Sequence, residues 1–95
     1  MTQIILRLYV TGNTRSAAEA TSTLADLCHE LGEERVTLDV IDVLDHPEAA
    51  LNDDVYATPT VFRIKPEPAR RVFGNLSSKE MLIVGLQLTS VDEED

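Results

Sequence analysis

The stretch Ala57-Thr58-Pro59-Thr60-Val61, running into Phe62-Arg63-Ile64, restricts the folds open to this chain more than any other. A proline directly ahead of a strand-like run has no N–H to give a ladder, so it suits an edge or the first position of a strand. The Thr58–Pro59 bond is also a candidate for the cis form, because the trans preference before proline is only about 0.5–1 kcal/mol. The segments before it must deliver the chain to the start of a strand, and those after it must complete a sheet.

Upstream, Ile4 to Val10 is apolar almost throughout, with Arg7 its one charge, which predicts a central strand buried on both faces. Thr11-Gly12-Asn13-Thr14 is a turn. Ser16 with Glu19 fits a capping box and Thr14 is a competing cap for the helix that follows. Ala17, Ala20, Leu24, Leu27, Cys28 and Leu31 form its apolar stripe, and Gly32 stops it. Arg35 to Val43 alternates Val36/Leu38/Val40 against Thr37/Asp39 and turns apolar on both faces at Ile41, which predicts a second strand paired in parallel with the first. Asp45-His46-Pro47-Glu48 opens a short helix, roughly Pro47 to Asp54, with Asp45/Glu48 at capping-box spacing and acids at the end that the macrodipole disfavours.

Downstream, Thr60 to Lys65 and Ala69 to Phe73 predict an antiparallel hairpin across the stiff Pro66-Glu67-Pro68 loop. Ser77 with Glu80 predicts a helix start, yet Met81 to Leu88 is an unbroken, partly β-branched apolar run that also fits a strand. Gly85 in its middle costs a helix about 1 kcal/mol relative to Ala, so the two readings compete there. Val91 to Asp95 is an acidic tail expected to fray. A chain of 95 residues, 43% hydrophobic, is expected to form a single α/β domain in the order βαβαββα.

The chain carries a net charge of −9, and an acidic protein of this kind repels nucleic acid and anionic lipid. The charge is segregated. Residues 26–54 hold ten acids against Arg35, and residues 63–79 hold five bases (Arg63, Lys65, Arg70, Arg71, Lys79) against Glu67. Opposite-signed surfaces of one small domain favour oriented docking and self-association, and a homo-oligomer, dimer or tetramer, is expected. Arg70 and Arg71, adjacent on a strand, point to opposite faces and are candidate interface residues. No secretory leader and no apolar run of about 18 residues is present, so a cytoplasmic protein off the membrane is expected.

Catalytic constellations are missing from the pattern. Thiol–disulfide chemistry needs a low-pKa thiolate at a helix start and a resolving thiol, whereas the single cysteine, Cys28, lies about three turns into the first helix on its apolar stripe. His29 and His46 have no third nitrogen or sulfur ligand at metal spacing, and His29 sits four residues before Glu33 as a surface pair. Gly12 belongs to no phosphate-loop pattern, and no cofactor is expected.

A Thr-Pro-Thr after β-α-β-α and ahead of a β-β-α tail resembles the cis-proline position of thioredoxin-like folds. Five blocks in order carry a narrower resemblance: Leu8-Tyr9-Val10-Thr11-Gly12-Asn13-Thr14, Val40-Ile41-Asp42-Val43-Leu44, Ala57-Thr58-Pro59-Thr60, Arg70-Arg71-Val72-Phe73-Gly74-Asn75-Leu76-Ser77 and Gly85-Leu86. From about Ile5 to Leu88 the chain resembles the KaiB family of clock proteins. That resemblance implies a thioredoxin-like fold and a non-catalytic regulatory adaptor that binds a KaiC-like RecA-type ATPase. It also implies an alternative self-associating form with a rearranged C-terminal half. Gly85 matches the family glycine, whereas Gln87 replaces its usual aspartate, which bears on the balance between the forms. Glu19, Asp39 and Asp54 stand where the family has basic residues, on or beside its KaiC-facing surface. Their reversed sign implies a KaiC paralogue with a compensating basic face, or a changed partner. The reading from another class is a redox-dead thioredoxin-like sensor or stress-response module without a KaiC-type partner.

Overall fold

The protein is seen here as a computed structural model that describes residues 3–88. Its elements run β1 (Ile4–Val10), α1 (Arg15–Leu31), β2 (Val36–Asp42), α2 (Pro47–Asn52), β3 (Thr60–Lys65), β4 (Arg70–Phe73) and α3 (Lys79–Gly85). The strands form a sheet of order β2-β1-β3-β4, with β1 parallel to β2 and antiparallel to β3, and β3 antiparallel to β4. Its most apolar strand, β1, therefore lies inside the sheet, where both edges of the strand are paired.

Alternation along the strands decides what each face meets. Ile4, Leu6, Leu8 and Val10 of β1 and Val61 of β3 pack with Ala17, Ala20, Leu24 and Leu27 of α1 and with Leu82, Leu86 and Leu88 of the C-terminal segment. The intervening β1 residues serve the opposite face, where the Tyr9 hydroxyl reaches the Ala49 carbonyl of α2 at 3.3 Å. Cys28 is buried in the α1 core, as its place on the stripe predicts.

Local start signals are shifted in all three helices. The Ser16/Glu19 box is not used: Thr14 is in extended geometry and its Oγ1 accepts from the Ala17 N–H at 3.1 Å, which puts Ser16 inside the helix. Nor is the Asp45/Glu48 box, because Asp45 stands one residue ahead of the cap position, which is His46, and no side chain caps α2. Helix α2 also ends at Asn52, earlier than expected, because Asp53 closes it and Asp54 takes the left-handed conformation at φ 56°. In α3 the start moves from Ser77 to Ser78, since Asn75 Oδ1 accepts from both the backbone N–H and the hydroxyl of Ser77. Ser78 Oγ is then the acceptor for Met81 N–H at 3.3 Å.

The strand reading of Met81 to Leu88 is not the one adopted. The chain is helical to Gly85 and turns at Leu86 and Gln87, whose φ is 55°. Helical spacing buries Leu82 and Leu86 and leaves Met81 and Val84 in solvent, so the run is amphipathic in space though not in sequence. A Cβ built on Gly85 would lie 2.6 Å from Val72 Cγ2, so this glycine is needed where α3 crosses β4, and its helix-propensity cost is secondary. The acidic tail expected to fray, Val91 to Asp95, lies outside the described residues.

Candidate interaction surface

Loops meet beside α2. The Thr11 and Thr58 hydroxyls are 2.5 Å apart, and Thr60 Oγ1 donates to the Ala57 carbonyl at 2.5 Å. The Thr58–Pro59 bond is cis, and the Pro59 carbonyl accepts from the Gly74 N–H at 3.2 Å. Pro59 stands one residue ahead of interior strand β3, just before the first position, where its missing N–H costs the ladder no bond. Asp42 ends β2 and accepts from the Gly12 N–H at 3.0 Å and the Leu44 N–H at 2.9 Å. Those two backbone donors, Gly12 first, hold its carboxyl below the usual range.

Helix α2 is tied to the sheet by polar groups. Tyr9 Oη donates to Asp53 Oδ2, and Arg7 Nη1 donates to the same oxygen at 3.2 Å. Burial first, and then the bond to Asp53, raise the Tyr9 phenol above its ordinary value. Arg7 thus relieves the acid at the unfavourable end of α2. Tyr9 meets Phe62 edge-on at 5.9 Å, and the Arg71 guanidinium lies 4.8 Å from the Phe62 ring centroid. Arg71 also donates to the Asp54 carbonyl at 2.8 Å.

The expected partner-facing residues separate into different places. Asp54 and Arg71 are brought together, with Arg71 acting as a tie between β4 and the end of α2. Glu19 is exposed on α1, on the other side of the sheet. Asp39 is exposed on edge strand β2, opposite Arg7, whose guanidinium turns to Asp53 instead. Arg70 is exposed on β4 opposite Arg63.

Arg63 does not belong to a solvated basic surface, as grouping it with Lys65, Arg70, Arg71 and Lys79 implies. It is 4% exposed, and its guanidinium donates to the carbonyls of Leu86 at 3.0 Å, Gln87 at 3.3 Å and Pro68 at 2.8 Å. Burial, and then repulsion from Arg70, lower its pKa. Gln87 and the end of α3 are therefore held by a buried cation from β3. Strand parity carried the signal, because Arg63 shares the face of Val61. Lys79 is also engaged, bonded to Glu30 of α1.

No thiol stands at the Thr11–Thr14 turn, and burial, then the charge of Glu33, push the Cys28 thiol up, away from the reactive thiolate. His29 Nδ1 and Glu33 Oε2 lie 3.1 Å apart on the exposed face of α1. Among the described residues no group of three or more His, Cys, Asp or Glu side chains could hold a metal ion, and no helix is long and apolar enough to cross a membrane.

Residues 7–88 match the family model described as the KaiB domain. The chain belongs to the KaiB family. This KaiB-family chain is 44% identical over 84 residues to the circadian clock oscillator protein KaiB of Prochlorococcus marinus strain MIT 9303, covering 88% of this chain and 71% of the relative. To the protein of the same name from Nostoc sp. strain PCC 7120 it is 40% identical over 93 residues, covering 96% and 86%. Among solved structures it is similar to the N-terminal domain of Synechococcus elongatus SasA, with a TM-score of 0.70 and 22% identity over 100% of this chain and 90% of that one. Chloroplastic thioredoxin z gives a TM-score of 0.72 and 22% identity over 93% and 80%. The KaiB-family fold seen here is thus the thioredoxin-like one.

Proposed function

We propose that this chain is a non-catalytic regulatory adaptor of a clock or clock-derived timing or stress system, binding a KaiC-like RecA-type ATPase in the cytoplasm. The KaiB-domain match over residues 7–88 carries the reading, and relatives named circadian clock oscillator proteins support it. A role in binding agrees with the sulfur-free turn and the buried Cys28. Residues 1–95 act as one domain in this proposal, with Glu19, Asp39, Asp54, Arg70 and Arg71 facing partners. The segregated charge supports self-association, and a dimer or tetramer is part of the proposal. The self-associating form with a rearranged C-terminal half is part of the same proposal, with Pro59, Gly85 and Gln87 as its structural positions.

The test mixes the purified chain with the KaiC-type ATPase of the same organism and ATP, read by size-exclusion chromatography with light scattering. A complex of both proteins is the expected result. If none forms across ATP, ADP and a range of temperature, the adaptor reading is wrong. The reversed charges at Glu19, Asp39 and Asp54 then favour the redox-dead thioredoxin-like binding module without such a partner.

A further inference from the structure

We propose that the apolar groove between α2 and the Ala57–Thr60 loop docks an apolar segment of the partner protein flanked by Lys or Arg. The inference rests on the adaptor reading and adds to it the place and the chemistry of contact. The groove has a volume of about 440 Å³, with walls that include Thr11, Val43, Pro47, Ala50, Leu51 and Tyr56. At its mouth Leu51 is 77% and Tyr56 87% exposed. Tyr56 also forms, with Phe73, the wall of an adjoining cleft, so the apolar surface continues onto β4. Each such side chain left in water forgoes the gain that burial would supply, and a concave cluster of them marks a docking surface. The walls are pinned by the Thr11–Thr58 and Thr60–Ala57 contacts, so the groove exists before a partner arrives.

Charge decides the occupant. Residues 43–58, which build most of the groove, contain Asp45, Glu48, Asp53 and Asp54 and no Lys or Arg. Arg7 pairs with Asp53, whereas the carboxylates of Asp45, Glu48 and Asp54 have no ion-pair partner among the described residues. The cation of the adjoining cleft, Arg71, is engaged by Phe62 and the Asp54 carbonyl. An apolar trough built mostly by a segment whose only Asp, Glu, Lys or Arg side chains are acids complements an apolar anchor carried among basic residues and repels an acidic one.

The ¹⁵N-labelled full chain is titrated with an amphipathic Leu/Lys peptide, a matched Leu/Glu peptide and a Lys/Gly/Ser peptide without leucine. The Leu/Lys peptide is expected to shift the amides of Leu51, Val55, Tyr56 and Ala57, and the other two to leave them in place. Tyr56→Ser and the double variant Glu48→Lys/Asp54→Lys, checked for native peak dispersion, should each weaken that binding about tenfold, equivalent to about 1.4 kcal/mol. Equal binding of the Leu/Glu peptide, shifts spread over the acidic surface outside the groove, or no binding at all would overturn the proposal. So would a Tyr56→Ser change that converts an oligomer to a monomer, because a second copy would then be the occupant. If the KaiC-type ATPase binds Tyr56→Ser as tightly as the wild type, the groove proposal fails and the adaptor reading stands. If the ATPase ignores the wild type while the Leu/Lys peptide binds in the groove, the adaptor reading fails alone.

Discussion

Replacing Arg63 by Met tests whether the buried guanidinium holds α3 in place. The side chain is 4% exposed and donates to three carbonyls, those of Leu86, Gln87 and Pro68, joining the end of α3 to the β3–β4 loop. Hydrogen bonds to a charged group contribute about 1.5–3 kcal/mol each, so the gross loss is roughly 5–9 kcal/mol. Against that, Met removes a buried charge with no acidic partner among the described residues, whose desolvation costs several kcal/mol and whose repulsion from Arg70 is unfavourable. The carbonyls at the end of α3 can also regain water once that short helix loosens. The balance is a destabilisation of about 2–4 kcal/mol. Arg63→Lys should fall between wild type and Met, because an ammonium cannot reproduce the planar fork across both chain segments. Urea unfolding followed by circular dichroism measures the change, and hydrogen exchange at Leu86 and Leu88 locates it: those amides should lose protection before Leu24 and Leu27 do. An Arg63→Met protein as stable as the wild type, with Leu86 still protected, would refute the reasoning.

Gly85→Ala, which helix propensity alone predicts to stabilise α3 by about 1 kcal/mol, should instead destabilise it, since the new Cβ meets Val72 Cγ2 at 2.6 Å and overpacking costs about 1–3 kcal/mol. Thermal melts of Gly85→Ala, Val72→Ala and the pair should show a double variant more stable than the sum of the single losses; strict additivity would rule out the clash. Asp42 has a folded pKa below its unfolded value of about 3.9, so the stability it contributes is present above that pH and is lost as pH falls through the folded value. Asp42→Asn should therefore flatten the acid limb of a melting-temperature profile between about pH 2 and 5, and an unchanged profile would contradict the two N–H contacts. Asp39→Lys should move stability by no more than about 0.5 kcal/mol, because the residue is exposed on an edge strand, while weakening partner binding. A large drop in melting temperature with affinity unchanged would make Asp39 structural.

Element order, and the type of every element before α3, follow from local pattern alone, because burial imprints period two on strands and a stripe on α1, and because Pro59 and Gly32 act through their own backbones. The sequence determined that β1 is interior, that α1 ends at Gly32, that the Pro66–Pro68 loop closes a hairpin and that no dithiol occupies the first turn. Its pattern could not place the helix starts to the residue, since Ser77 and Ser78 offer the same hydroxyl and the choice falls to Asn75, which captures Ser77. Nor could it separate helix from strand at Met81 to Leu88, where every side chain but Gln87 is apolar or glycine and only the core beneath decides which are buried. The candidate surface was least accessible to sequence reasoning. Charges counted along the chain put Arg63 in a basic surface and left Leu51 and Tyr56 unremarked, although the first is sealed beneath α3 and the others stand in solvent. Charge is a property of one residue and can be read in isolation. Burial depends on what packs against that residue from distant parts of the chain, so only the tertiary structure could turn an arginine into a buried tie and an apolar pair into the mouth of a groove.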